Sequence, residues 1–219
     1  MQYEWDFGFL LQYTSLLWTG ALYTIGFTIM TAVSGLAVGC VIALANLAKA
    51  RVLNFFLTGF IEIFRCTPVL VQLVWCYYAL PMLTGIEMSP ALAAFITLTL
   101  YGASFYAEII RGGIISVDAG QWDAGRALGM RSHQLMLRTV MPQAFKRMMP
   151  PLVNQTVLQL KNTSLLSVLA VPDLLYQGQL ITSASYRPLE TYTIIAVIYF
   201  IILFPLTRLA RRLESKLAK

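Results

Sequence analysis

Glu62, Arg65 and Lys161 are the side chains best placed to do chemistry, because each lies inside a long apolar run. An unpaired charge at the centre of a bilayer costs at least about 2.5–3.5 kcal/mol, so such residues face protein or water. Arg65 is about ten residues into its run and Lys161 about nine, which puts them about 15 and 14 Å deep. That is close to the middle of a hydrocarbon layer about 30 Å thick. Glu62, Arg65, Val69, Gln72 and Cys76 follow steps of three and four, which predicts one polar helical face. Asn154, Gln155, Gln159, Lys161 and Asn162 are expected within roughly 160° of arc on another helix. Two chemistries fit. In one, the faces line a solute path in which Lys161 or Arg65 holds a carboxylate and Glu62 meets an amino group or pairs with Arg65. In the other, a Glu62–Arg65 ion pair and the amides only join helices. Glu108 sits at the end of its run, placed to pair with Arg111.

No residue pattern supports catalysis. None of the 14 glycines is followed by lysine, so the chain has no G-x-x-x-x-G-K-[ST] phosphate cradle. The lone His133 has no Cys/His/Asp cluster around it to form a metal site. Cys40, Cys66 and Cys76 are an odd set in apolar runs and read as small core residues rather than a disulfide framework. Cys66 and Cys76, ten residues apart on one expected helix, would be about 15 Å apart, too far to bridge.

The elements that position these side chains follow from composition. Of 219 residues, 58% are hydrophobic and 12% charged, and the mean hydropathy is +0.69. Soluble domains carry about 25% charged residues. This excludes a disordered tail, a water-exposed nucleic-acid module and a disulfide-rich secreted scaffold, and leaves an integral membrane protein. No charged residue occurs from Phe7 to Ala48. A span needs about 20 residues, so this run predicts a span at about Gly20–Ala48 with Phe7–Leu17 lying on the membrane surface. Further spans are expected at about Phe55–Leu80, ending at Pro81, and at about Ala91–Ile110. A fourth should start after Pro150–Pro151 and stop before Pro172, and a fifth covers about Leu189–Thr207. Gly35 and Gly39 on the first span permit close helix packing, or are an incidental pair.

Basic residues set the orientation. Thirteen lie on one side: Lys49 and Arg51; Arg111, Arg126, Arg131, Arg138, Lys146 and Arg147; and Arg208, Arg211, Arg212, Lys216 and Lys219. The other side has Arg187 with Glu4, Asp6, Glu87, Asp173 and Glu190. The positive-inside rule puts the thirteen in the cytoplasm. The expected fold is therefore an all-α integral membrane protein with five transmembrane helices, N-terminus outside and C-terminus cytoplasmic. The acidic N-terminus lacks the basic start of a cleaved signal peptide.

The third and fourth spans are joined by about 40 residues, Arg111 to Pro150, long for a connector. Gln121, Trp122, Asp123, Ala124, Gly125, Arg126, Ala127 and Leu128 predict a short helix that ends at Gly129, with Met130 following. Ser132 is placed to cap a second helix carrying Leu135, Met136, Val140 and Met141, interrupted by Pro142. Such a helix–turn–helix either docks in a groove of a soluble partner or lies flat on the anionic membrane surface.

Asp123-Ala124-Gly125, Gly129 and Val140-Met141-Pro142 resemble the "EAA…G…I-LP" loop of permease subunits of ATP-binding-cassette importers. Glu62-Ile63-Phe64-Arg65-Cys66-Thr67-Pro68-Val69-Leu70-Val71-Gln72-Leu73 resembles the second-span signature of the polar-amino-acid uptake branch. Tyr106–Ile114 and Leu160-Lys161-Asn162-Thr163-Ser164-Leu165 resemble that branch too. The resemblance spans roughly residues 20–210. It implies a type I importer transmembrane domain over residues 1–219, whose loop at about 111–150 is gripped by an ATPase through Gln121–Met130 and Pro142. It also implies a substrate cavity with Glu62, Arg65, Thr67, Gln72, Lys161, Asn162, Thr163 and Ser164 as candidates. The implied partners are an ATPase homodimer carrying ATP and Mg, a second permease subunit (identical or homologous), an extracytoplasmic solute-binding protein, membrane lipid and an amino-acid substrate, but no nucleic acid. The chain itself needs no cofactor, and the implied location is the bacterial inner membrane.

Asp123 and Gly125 stand where the family often has Glu and Ala. Asn162 stands where many relatives have Asp, so a cationic substrate is disfavoured. With Lys161 and Arg65 nearby, the expectation leans toward an acidic or zwitterionic amino acid or a derivative such as an opine. The rival readings are a secondary transporter using Glu62 or Glu108 as proton carrier, and a channel or membrane scaffold.

Overall fold

The fold was analysed in a computed structural model that describes residues 3–47 and 50–217. Lys49 and Lys219, two of the thirteen cations, and Ala48, the expected end of the first span, lie outside the described residues. The described chain is helical throughout. A 3-10 turn, Gly8–Tyr13, leads into α1 (Thr14–Asn46). Then come α2 (Arg51–Cys66), α3 (Val69–Thr84), α4 (Pro90–Ile115), the short α5 (Ala119–Ala127), α6 (Ser132–Leu169), α7 (Leu174–Ser185) and α8 (Pro188–Leu217). Three stretches are long and apolar enough to cross a membrane: Gly8–Asn46, Pro90–Ile115 and Pro188–Ser215. The pairs α2–α3, bent by 107°, and α6–α7, bent by 45°, reach the same standard only as pairs, giving up to five crossings.

Several expected boundaries are corrected. Residues 7–17 do not lie apart on a surface. Leu10 and Leu17 are buried with Ala21, Leu174, Ile181 and Ile195, because α7 and α8 supply an apolar wall for the lead-in. Pro81, Pro142 and Pro150–Pro151 do not end or interrupt helices. Before Pro81 the turn Trp75–Ala79 widens to π geometry and the Leu80 N–H bonds Trp75 O. Before Pro142 the turn Met136–Val140 does the same, with the Met141 N–H on Met136 O. A widened turn makes room for a pyrrolidine ring and removes the need for the missing N–H. Pro150 and Pro151 sit inside continuous helix, so the helix that carries the fourth apolar run starts at Ser132, well before them. Ser132 is the first helical residue rather than the cap. The cap is Arg131, whose N–H donates to Gln134 Oε1 at 3.1 Å.

The second apolar run is not one helix. Proline disfavours the α conformation in the residue before it, and Thr67 is extended at φ −103°, ψ 142°. The expected single face from Glu62 to Cys76 is thereby split across a 107° bend. Cys66 and Cys76 lie on different helices. Cys76 is buried as expected, but Cys66 is exposed beside the bend and Cys40 is half-buried, all three as free thiols.

The second bend is built differently. Ala170 takes a left-handed conformation (φ 54°) and closes α6, with the Val171 N–H on Leu166 O. Asp173, counted among the acidic residues of the outer side, is fully buried as the cap of α7. Its carboxylate accepts from the Tyr176 and Leu175 N–H groups at 2.9 and 3.2 Å and from Tyr199 OH at 3.3 Å. The Leu174 N–H donates to Thr24 Oγ1 on α1. Glu190 is likewise buried, bonded by Tyr3 OH, the Asp6 N–H and Arg187.

α1 packs along α4 through Gly35 and Gly39. A Cβ at Gly39 would stand 2.8 Å from both Ala103 O and Tyr106 Cβ. The pair is therefore a packing seam. Gly39→Val must push α1 off α4, and overpacking of this kind costs about 1–3 kcal/mol. The expected result is a lowered thermal midpoint of the detergent-purified protein, whereas an unchanged midpoint would remove the seam from the account.

Candidate functional site

α4 is the spine on which the candidate residues are placed. Gln159 on α6 is fully buried and its Nε2 donates to Leu98 O at 2.7 Å, close against Gly102. Tyr106 OH meets Thr156 at 3.0 Å. Gln159 thus joins helices, Gln155 is buried with its Nε2 unpartnered among the described residues, and Asn154 donates to Glu214 at 3.0 Å. The predicted polar face of this helix is divided, with Lys161 exposed, Asn162 and Ser164 half-buried and Thr163 buried. Thr163 Oγ1 and Ser164 Oγ turn back to the carbonyls of Leu160 and Lys161.

At the α2–α3 bend, Gln72 closes the gap. Its Nε2 lies 2.9 Å from Phe64 O, 3.0 Å from Thr67 O and 2.6 Å from Thr67 Oγ1. The first two are carbonyls that the end of α2 leaves open, and the third is a side-chain hydroxyl. Its Oε1 is buried with no partner among the described residues. Thr67 and Gln72 line a cavity of about 460 Å³ with Cys76 and, from α4, Ile96, Thr97 and Leu100. Glu62 lines a different cavity, of about 350 Å³, with Thr58, Glu108 and Arg111.

The expected Glu62–Arg65 pair is not formed. Arg65 stands over the Phe105 ring at 5.5 Å, and Glu62 Oε2 lies 3.5 Å from Cys66 Sγ. Glu108 does pair with Arg111, whose Nε donates to Glu108 Oε2 at 2.9 Å. Lys161, Asn162, Thr163 and Ser164 line neither cavity. The two sets are tied through packing. Val69 and Leu73 after the bend share one apolar cluster with Leu165, Leu166 and Leu169 after Ser164. Spacing placed Gln72 on a continuous polar face, and its role at the bend was not read from the sequence. Nothing in the pattern singled out Gln159 from the other amides.

The α4–α6 connection forms a compact unit. Asp118 caps α5 by accepting from the Gly120 N–H at 2.7 Å. Gly129 ends it at φ 71°, with the Met130 N–H on Gly125 O at 3.1 Å and the Gly129 N–H on Arg126 O at 2.9 Å. Gly125 is buried: a Cβ there would lie 2.2 Å from Leu135 Cδ1. That accounts for glycine at this position. Trp122, Met130 and Leu135 join a cluster that includes Ile114 and Val117 of the α4 end and Val140 and Ala144 of α6. Gln143 donates to Gln121 at 3.2 Å, and Arg147 donates to Ser116 O. The opposite face is open: Leu128 is 81% exposed, and Gln121, Asp123, Ala124, Arg126 and Ala127 are exposed too. Pro142 is also exposed, on α6 rather than in a break.

A rigid helix with one face packed on two long apolar helices and the other free can transmit force but offers no reacting group. Comparison with known proteins agrees. Residues 35–219 match the family model described as binding-protein-dependent transport system inner membrane component. The glutamine transport system permease protein GlnP of Escherichia coli (strain K12) is 34% identical over 218 residues, 99% of each chain. The arginine transport system permease protein ArtQ of Bacillus subtilis (strain 168) is 30% identical over 212 residues, 97% of each. A solved chain from an amino acid ABC transporter with histidines superposes with a TM-score of 0.92 at 34% identity, covering 98% of this chain and 100% of that one. The inward-facing MetNI methionine ABC transporter gives 0.67 at 19% identity, over 92% and 98%, a likeness of fold. The chain belongs to the binding-protein-dependent transport system inner membrane components, the non-catalytic permease subunits of ABC transporters, in which the ATPase is a separate subunit.

Proposed function

We propose that this permease subunit imports a polar amino acid or a derivative of one across the bacterial cytoplasmic membrane. It works as one domain over residues 1–219 that crosses the bilayer five times, with the N-terminus outside and the C-terminus inside. The observation that carries this reading is α5, seated on α4 and α6 with its outer face open around Leu128. That face, Gln121–Met130, with Pro142 nearby in sequence, is the grip for an ATPase homodimer, which supplies ATP and Mg. The basic flanks of the apolar segments support the orientation. A second permease subunit, identical or homologous, completes the gate, and an extracytoplasmic binding protein delivers the solute. ATP binding draws the paired α5 helices together and turns the cavity between inward and outward access, and the binding protein favours the state it holds more tightly.

The substrate elements we assign are the bend and the end of α6. Arg65 and Lys161 are the cations for a carboxylate. Thr67 and Gln72 line the bend cavity, and Gln72 Oε1, buried without a partner among the described residues, is the acceptor we assign to an ammonium. Glu62, Asn162, Thr163 and Ser164 complete the set. Asn162 is neutral, and the nearby cations disfavour a cationic side chain, so the preference is for acidic or zwitterionic solutes. The named relatives transport glutamine and arginine.

The test is uptake by proteoliposomes holding the whole transporter. Uptake should require ATP and survive an uncoupler; the reverse pattern would select the ion-coupled reading. Gly129→Val forces a branched side chain into the left-handed region, at a cost of about 1–2 kcal/mol. It should leave ATP hydrolysis running while uptake falls at least tenfold; wild-type uptake by this variant would contradict the coupling role of α5. Lys161→Ala should cut uptake tenfold or more with assembly intact, and unchanged uptake would take Lys161 off the site.

A further inference from the structure

A groove of about 690 Å³ runs between α1, α6 and α8, apart from both candidate cavities. Its walls are stripes of aliphatic side chains, and the rim is strongly exposed: Ile29 58%, Val33 63%, Ile201 61%. The few polar groups in it are already engaged. Tyr106 OH and Thr156 bond each other, and Thr28 Oγ1 bonds Thr24 O at 2.7 Å. Nothing in the groove is left to recognise a polar solute.

The stripes end on cations. On α8, Ile201 and Pro205 line the groove, and the same helical face continues through Arg208 and Arg212 in steps of three and four. On α6, Leu160, Thr156, Val153 and Met149 line it, and the face continues to Lys146. Lys146, Arg208 and Arg212 are exposed. Arg208 lies 5.1 Å over the Phe204 ring, which leaves its donors free on the outer side. The neighbouring carboxylate, Glu214, is held by Asn154.

We propose that this groove is a binding site for an anionic phospholipid of the inner leaflet. An acyl chain lies along Val33 and Ile201, the headgroup phosphate is held by Arg208 and Arg212, and Lys146 adds positive charge along the same edge. Basic pockets at the cytoplasmic ends of membrane helices suit anionic headgroups. A second copy of the chain fits less well. A two-fold axis along the membrane normal brings the same patch of both copies together at one depth, so the three cations of one copy would face those of the other.

The test uses the assembled transporter, purified in detergent and given equal amounts of phosphatidylglycerol and phosphatidylcholine. Native mass spectrometry then counts retained lipid. The wild type should retain phosphatidylglycerol preferentially. Each cation is worth about fivefold in affinity, so K146Q/R208Q/R212Q should lower that preference by about a hundredfold. Ile201→Trp, which fills the groove, should remove the adduct while the complex stays assembled. Equal retention of the two lipids by the wild type would overturn the proposal. So would an undiminished phosphatidylglycerol adduct in either variant, or a disulfide formed between two copies through Val33→Cys and Ile201→Cys.

Discussion

In the coupling role proposed for α5, its seat on Leu135 is the contact on which the rest depends. A nine-residue helix is too short to hold itself together in water, so its order must come from packing. Gly125 lets its backbone approach Leu135 closely, and Trp122 and Met130 extend the same buried surface. Asp118 and Gly129 fix its two ends. The Asp123–Arg126 pair on the outer face is exposed on both sides and adds little, as surface pairs do. Force applied to the Leu128 face therefore passes into the α4 end and the start of α6 without an intervening flexible segment. Arg147, on Ser116 O, closes the same connection from the other side.

What α6 does with that force depends on how the chain handles backbone polar groups away from water. Within a bilayer every N–H and C=O that leaves a helix must be satisfied inside the protein. At the α2–α3 bend, Gln72 supplies the donor. At the α6–α7 bend, Asp173 and Thr24 supply the acceptors. Each bend is thus a defined structure built from one or two side chains. The Oε1 of Gln72 is the exception, buried beside the 460 Å³ cavity with no partner among the described residues.

Much of this was legible in the residues. The apolar runs located the first, third and last long helices, Gly129 marked the end of α5, and Glu108 found Arg111 at the expected spacing of three. Gly35 and Gly39 permitted close packing by spacing, but their partner, α4, was not legible there. Prolines misled because their effect depends on the turn before them. A one-residue widening at Trp75–Ala79 and at Met136–Val140 lets Pro81 and Pro142 sit inside a helix, and spacing alone does not show it. Thr67–Pro68 had no such turn and broke the run, which divided a polar face that periodicity had joined. Which amides glue helices is likewise a matter of neighbours. Gln159 is fixed by Leu98 O, sixty-one positions away, and nothing local to Gln159 encodes that partner.

Photocrosslinking from position 128 tests the central claim most directly. A benzophenone side chain in place of Leu128, activated in membranes holding the complete transporter, should form an adduct with the ATPase subunit. The same group in place of Tyr186, 88% exposed beyond the end of α7, should not. Adducts from position 128 confined to lipid or to the binding protein would contradict the account.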